Sequence, residues 1–211
     1  MNGLIHSSLY FGMLVSVGAY MLGVWLKKKT GWAILNPLLV AIIVVIAFLS
    51  VFHIEYKEYN RGAVYLGYFL TPATVCLAIP LYKQLELLRQ HLIAVASAIV
   101  AGVAGSVGSI YVMCRFFQLE HTHYVTLLPK SITTAIGMGV SEEAGGIVTL
   151  TVVSIIITGI LGNIIADWLF GILKIEEPMA KGLALGTAAH AIGTARALEL
   201  GEIEGAMSSL A

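Results

Sequence analysis

Four stretches of this chain, 8–26, 32–52, 62–82 and 92–114, are almost wholly apolar, and a fifth runs from 146 to 172. A helix needs about 20 such residues to cross a bilayer. Composition agrees: 58% of the 211 residues are hydrophobic and 11% are charged, where a soluble domain carries about 25% charged residues. The mean hydropathy is +0.90. A water-soluble fold of this size could not hide so much apolar surface. The sequence therefore predicts an all-α, polytopic helical membrane protein with about six to eight membrane segments. It reads as one transmembrane domain over 1–211, with two N-terminal helices in 1–60 and a repeat-containing core in 61–211.

The formal net charge is zero, so nothing points to a nucleic-acid partner. Cys76 and Cys114 lie far apart in apolar sequence, as small core residues do. No cleaved signal peptide is expected, because the N-terminus lacks a Lys/Arg-rich start. The first apolar run ends at Lys27-Lys28-Lys29, which the positive-inside rule assigns to the cytoplasm. The N-terminus is then outside. Connectors 53–61 and 115–124 read as external, and 83–91 and 174–181 as cytoplasmic.

Two shorter runs, 125–141 and 182–198, are apolar but carry Lys130, His190 and Arg196. Short runs interrupted by Gly or Pro mark binding sites on broken helices in transporters. Whether each spans or re-enters is left open by the sequence. "GVAGSVGS" (102–109) and "GILGN" (159–163) suit close helix packing. An internal repeat appears at an offset of 57 residues. Pro72 falls on Pro129, Thr74 on Ser131, Ala78-Ile79 on Ala135-Ile136, and Ser97, Gly102 and Gly105 on Ser154, Gly159 and Gly162. A weaker third copy places Ser131 on Thr187, 135–137 on 191–193, and Glu143 on Glu199. The last nine residues, 203–211, are too short to span and are expected to begin a helix that continues.

The stretch "LLPKSITTAIGMGVSEEAGGIV" (127–148) raises the chemical question. A charge at bilayer depth costs about 2.5–3.5 kcal/mol, so such a residue faces a cavity or a partner. Pro129 disfavours helix just before it. The helix can restart there, with Ser131, Thr133 and Thr134 supplying hydroxyls and free N–H groups facing an anion. That combination suits a small carboxylate. The alternative is that Lys130 snorkels to the interface. One of Glu142 and Glu143 could titrate with a raised pKa and carry a proton. Alternatively both are solvated and precede a helix capped by Ser141. In 186–206, His190 and Thr194 share a helical face. Arg196 either holds a carboxylate through two hydrogen bonds or pairs with Glu199 three residues on. His190 is a proton carrier or a satisfied core histidine. "HTH" (121–123) has no company that would make it a metal site. No nucleophile–base pattern occurs, so neither enzyme activity nor a cofactor is expected.

"LLPKSITTAIGMGVSEEAGGI" and "GLALGTAAHAIGTARALELGEIEGAMSSLA" resemble the LrgB/CidB family of bacterial membrane proteins. The resemblance implies a multi-pass protein of the bacterial cytoplasmic membrane, working with a small, holin-like LrgA/CidA-type partner. Some members of that family are named for control of murein hydrolase activity and cell lysis. Others export or take up small monocarboxylates such as pyruvate, 3-hydroxypropionate, glycolate or glycerate, and the plastid glycolate/glycerate translocator is similar to a fusion of the two partners. The family usually continues past "GAMSSLA" with another apolar helix. Lys130, Ser131, Thr133, Thr134, Glu142, His190, Thr194, Arg196 and Glu199 stand at its motif positions. The main expectation is proton-coupled carboxylate transport: Lys130, Ser131, Thr133, Thr134, Thr194 and Arg196 would bind substrate, and Glu142, Glu143, His190 and Glu199 would handle the proton. The alternative is a holin- or antiholin-like protein modulating lysis. A homo-oligomer is expected in either case.

Overall fold

A computed structural model describes residues 10–32 and 35–211. The described residues form twelve helices and no strand. They fall into two compact units, Met1–Cys76 and Leu77–Ala211.

The first unit holds α1 (Phe11–Thr30), α2 (Pro37–Val51), α3 (Tyr56–Gly67) and α4 (Leu70–Cys76). Asn36 starts α2: its side-chain oxygen accepts from the N–H groups of Leu38 and Leu39 at 2.9 and 3.3 Å. Pro37 follows at the first helical position, where its missing donor costs nothing. Small residues let α1 approach both neighbours. A Cβ on Gly23 would stand 2.7 Å from the Pro37 carbonyl oxygen, and the Tyr59 backbone fills the place of a Cβ on Gly12. The Ser16 hydroxyl lies 2.7 Å from both the Gly12 carbonyl and the Tyr59 hydroxyl. Lys27, Lys28 and Lys29 occupy the last turn of α1, where the helix dipole favours cations.

The second unit holds α5 (Ala78–Lys83), α6 (Leu85–Gln90), α7 (Leu92–Phe116), α8 (His121–Leu127), α9 (Thr134–Glu143), α10 (Val148–Leu173), α11 (Pro178–Leu200) and α12 (Glu202–Leu210). α11 is its hub and packs against α7, α10 and α12. Contact with α12 depends on Gly182 and Gly186: a Cβ on Gly186 would stand 2.6 Å from the Ser208 carbonyl oxygen, and the Glu204 backbone closes on Gly182. Leu88, Val95, Leu183, Ala206 and Met207 form one buried cluster, and Ala166, Phe170, Leu185 and Ala197 another.

α10 carries its large apolar side chains outward. Leu150, Val153, Ile157, Leu161, Ile165, Trp168 and Ile172 are all exposed along one face, at the three-to-four-residue spacing of a helical stripe. The opposite face buries Thr151, Ile155, Gly159, Ala166 and Phe170. Lipid tails stabilise such an outward stripe; water would not. By length and composition Leu92–Phe116, Val148–Leu173 and the run Tyr56–Lys83 can cross a membrane. The chain is a helical membrane protein.

The apolar runs expected from sequence return as helices, with instructive differences. Residues 8, 9, 33 and 34 of the first two runs lie outside the described residues. The run 62–82 is divided among α3, α4 and α5, with turns at 68–69 and 77. "HIEYKEYNR" is no simple connector, because its second half is the first turn and a half of α3. Three helices end on a non-glycine residue in the left-handed region: His53, Gln118 and Lys174, with φ of 51°, 53° and 53°. In each case the next N–H reaches back five residues: Ile54 to Leu49 and Leu119 to Cys114 and Ile175 to Phe170, all at 2.9 Å. This is the Schellman closure, and it satisfies carbonyls that the helix end would leave unpaired.

Both short polar-bearing runs are broken. In 125–141, α8 stops at Leu127, residues 128–132 form turns and a bend, and α9 begins at Thr134 after an extended Thr133. In 182–198, Ala189 and His190 leave helical geometry inside α11, with His190 at φ 44° and ψ −143°.

Candidate functional site

The break after α8 positions Lys130. Pro129 is buried, which anchors the turn. The Lys130 ammonium donates to the Ser131 hydroxyl at 3.0 Å and reaches the Ser106 hydroxyl of α7 at 3.5 Å. The two hydroxyl oxygens are 3.3 Å apart. Among the described residues, no ion pair involves Lys130. The three residues face a hollow of about 480 Å³ between α7 and the first half of α11, which Gly102, Ser109 and Thr187 also line. A Cβ on Gly102 would stand 3.0 Å from the Thr187 side chain, so glycine sets the spacing of these helices. A cation ringed by hydroxyls, with no carboxylate to neutralise it, is suited to an anion.

Behind the Lys130 loop lies a buried hydroxyl network. The Thr151 hydroxyl stands 2.6 Å from the Ser141 hydroxyl and 2.9 Å from the Thr126 carbonyl. The Thr126 hydroxyl donates to the Thr122 carbonyl at 2.6 Å and accepts from the Ile147 N–H at 2.8 Å. These bonds tie α8, α9 and the start of α10 together. Ser141 is therefore a buried member of α9 and not the cap of the following helix, whose first flanking residue is Ile147. Glu142 and Glu143 end α9 and are exposed. Thr133 precedes α9 in extended geometry, without a side-chain cap bond.

His190 is buried, with its Nε2 3.0 Å from the Ile155 carbonyl of α10. A carbonyl accepts only, so Nε2 carries the proton. The ring fits because position 159 has no side chain: a Cβ there would stand 2.8 Å from Nε2. Thr194 is buried with its hydroxyl 3.0 Å from that of Ser208 on α12 and 3.2 Å from the His190 carbonyl. Asn163 donates to the Ile192 carbonyl at 3.3 Å, which pairs a group near the break. Arg196 bridges Asp167 on α10 and Glu199 on its own helix.

The structure thus gathers Lys130 and Ser131 in one hollow, while Thr194 packs towards α12 and Arg196 and Glu199 form an ion triad with Asp167. Sequence reasoning missed Ser106, Ser109 and Thr187 as lining residues. A signal exists for all three: "GVAGSVGS" holds Ser106 and Ser109 beside its packing glycines, and Thr187 aligns with Ser131 in the weaker third copy of the repeat.

The profile of the LrgB-like family matches residues 16–211. The chain belongs to the LrgB-like family. It is 38% identical to the antiholin-like protein LrgB of Bacillus subtilis (strain 168) over 96% of this chain and 88% of that protein. It is 39% identical to the antiholin-like LrgB proteins of Bacillus mycoides (strain KBAB4) and Bacillus cereus (strain B4264), with the same coverage. No solved structure matches.

Proposed function

We propose that this LrgB-like protein acts in the bacterial cytoplasmic membrane as an antiholin-like protein, modulating membrane lesions and lysis together with a small LrgA/CidA-type partner. The likeness to proteins of that name over 96% of the chain carries this reading. The continuous apolar outer face of α10 supports it, since lesion control needs helix association and no specific pocket. The test is dye release from vesicles holding the partner, with and without this chain. Release altered by the chain, indifferent to solute identity and unchanged by Lys130→Ala, supports the reading. Release unaffected by the chain overturns it.

The Lys130 hollow favours a second reading, transport of small monocarboxylates. Here Lys130 and Ser131 would hold the anion with help from Ser106 and Thr187, and His190 would carry a coupled proton at the break in α11. Arg196 and Glu199 would hold α11 to α10 without touching substrate. Counterflow in proteoliposomes, with a panel of two- to four-carbon acids across a pH gradient, tests it. Lys130→Ala should abolish flux while leaving the thermal midpoint near wild type. Flux that survives this change excludes the hollow as the transport site.

A further inference from the structure

A second concavity, of about 700 Å³, lies where α7 ends, lined by Tyr111, Arg115, Gln118, His121 and Tyr124 together with Cys114 and Leu119. We infer that it binds a phosphate group, supplied by the headgroup of an anionic phospholipid. Its depth follows from helix length. α7 has 25 residues, and at 1.5 Å per residue it is about 37 Å long, against a hydrocarbon core of about 30 Å. Its last turn, which carries Arg115, therefore reaches headgroup level. Tyr111, one turn before Arg115, is 59% exposed, as tyrosines are at the membrane interface.

The local backbone builds the concavity. Gln118 in the left-handed region and the Leu119 N–H to Cys114 carbonyl bond reverse the chain. α8 then brings Tyr124 edge-on to Tyr111, with ring centroids 6.2 Å apart, and His121 6.3 Å from Tyr124. Two phenols, an imidazole, an amide and a guanidinium thus line one space. Among the described residues, no ion pair involves Arg115. Guanidinium binds phosphate through two parallel hydrogen bonds, and the surrounding hydroxyl and N–H donors suit its remaining oxygens. Glu120 stands between Leu119 and His121 in sequence but does not line the concavity. The site shares no residue with the Lys130 hollow.

Native mass spectrometry of the full chain, released from vesicles of mixed phosphatidylglycerol and phosphatidylcholine, tests this. Wild type should retain phosphatidylglycerol over phosphatidylcholine, and Arg115→Gln should reduce that retention roughly tenfold, the effect of losing one charge-assisted interaction. Lys57→Gln, an exposed cation in the first unit, should leave it unchanged. A parallel arm adds inorganic phosphate at millimolar concentration. Persistence of the lipid adduct assigns the phosphate to a headgroup. Its displacement, with Arg115-dependent phosphate binding, keeps the phosphate site but overturns the lipid source. Equal retention of both lipids, or retention unaffected by Arg115→Gln, overturns the proposal.

Discussion

At the residue scale, most of the information sits in side chains whose type conflicts with their surroundings. Lys130 was legible because a charge in apolar sequence must find a partner. Its hydroxyl partner Ser106 lies 24 residues away, on another helix, and no local pattern encodes that meeting. The same holds for Arg196: Glu199 was readable at three residues' distance, whereas Asp167 is 29 away. His190 shows the limit most clearly. Nothing in "TAAHAIG" forbids a helix, yet His190 adopts a positive φ, at a cost of about 1–3 kcal/mol for a residue with a side chain. Burial of the ring against Gly159 and its bond to the Ile155 carbonyl offset that cost. His190→Asn accepts a positive φ with negative ψ better than most replacements. His190→Val loses both the bond and the tolerance. Thermal unfolding in detergent should rank wild type above Asn and Asn above Val, with Val lower by about 2–4 kcal/mol. A Val variant as stable as wild type would show that residue 190 does not hold the break.

At the element scale, proline and glycine gave the fold its readable punctuation. Pro129 announced the first break, but the helix restarts at Thr134 and not at the proline, because the intervening turns carry Lys130 and Ser131 towards α7. The second break has no such mark and is imposed by packing. Pro72 and Pro80 accompany the division of the run 62–82 into short helices, which hydropathy alone could not divide. Glycines set the distance between α11 and α12. Gly186→Leu should separate these helices and cost about 3 kcal/mol or more. Gly171→Leu, where a side chain would meet nothing within 4 Å, should be close to neutral. Limited proteolysis and thermal unfolding of the two variants make the comparison; equal behaviour would deny the packing role of Gly186.

At the scale of the whole molecule, the outward apolar stripe decides the environment. α10 buries Thr151 and Gly159 among Ile155, Ile160, Ala166 and Phe170 and still exposes leucine, isoleucine and tryptophan along its other face, a pattern that hydropathy predicted in sum but could not assign to faces. Orientation is a separate matter, resting on lysine placement in the loops. Single cysteines at Gln90 and Gln118, in a background lacking Cys76 and Cys114, test it. Gln118→Cys should react with an impermeant maleimide in intact cells, and Gln90→Cys only after permeabilisation. The opposite result would reverse the topology, and reaction of both from one side would deny that α7 crosses. One small absence has a mechanical result. Because position 102 has no side chain, Thr187 rides directly on the α7 backbone, and no rotamer lies between them to absorb a displacement. Any slide or roll of the first half of α11 is passed undamped to the wall that carries Ser106, so the width of the hollow is geared to that half-helix.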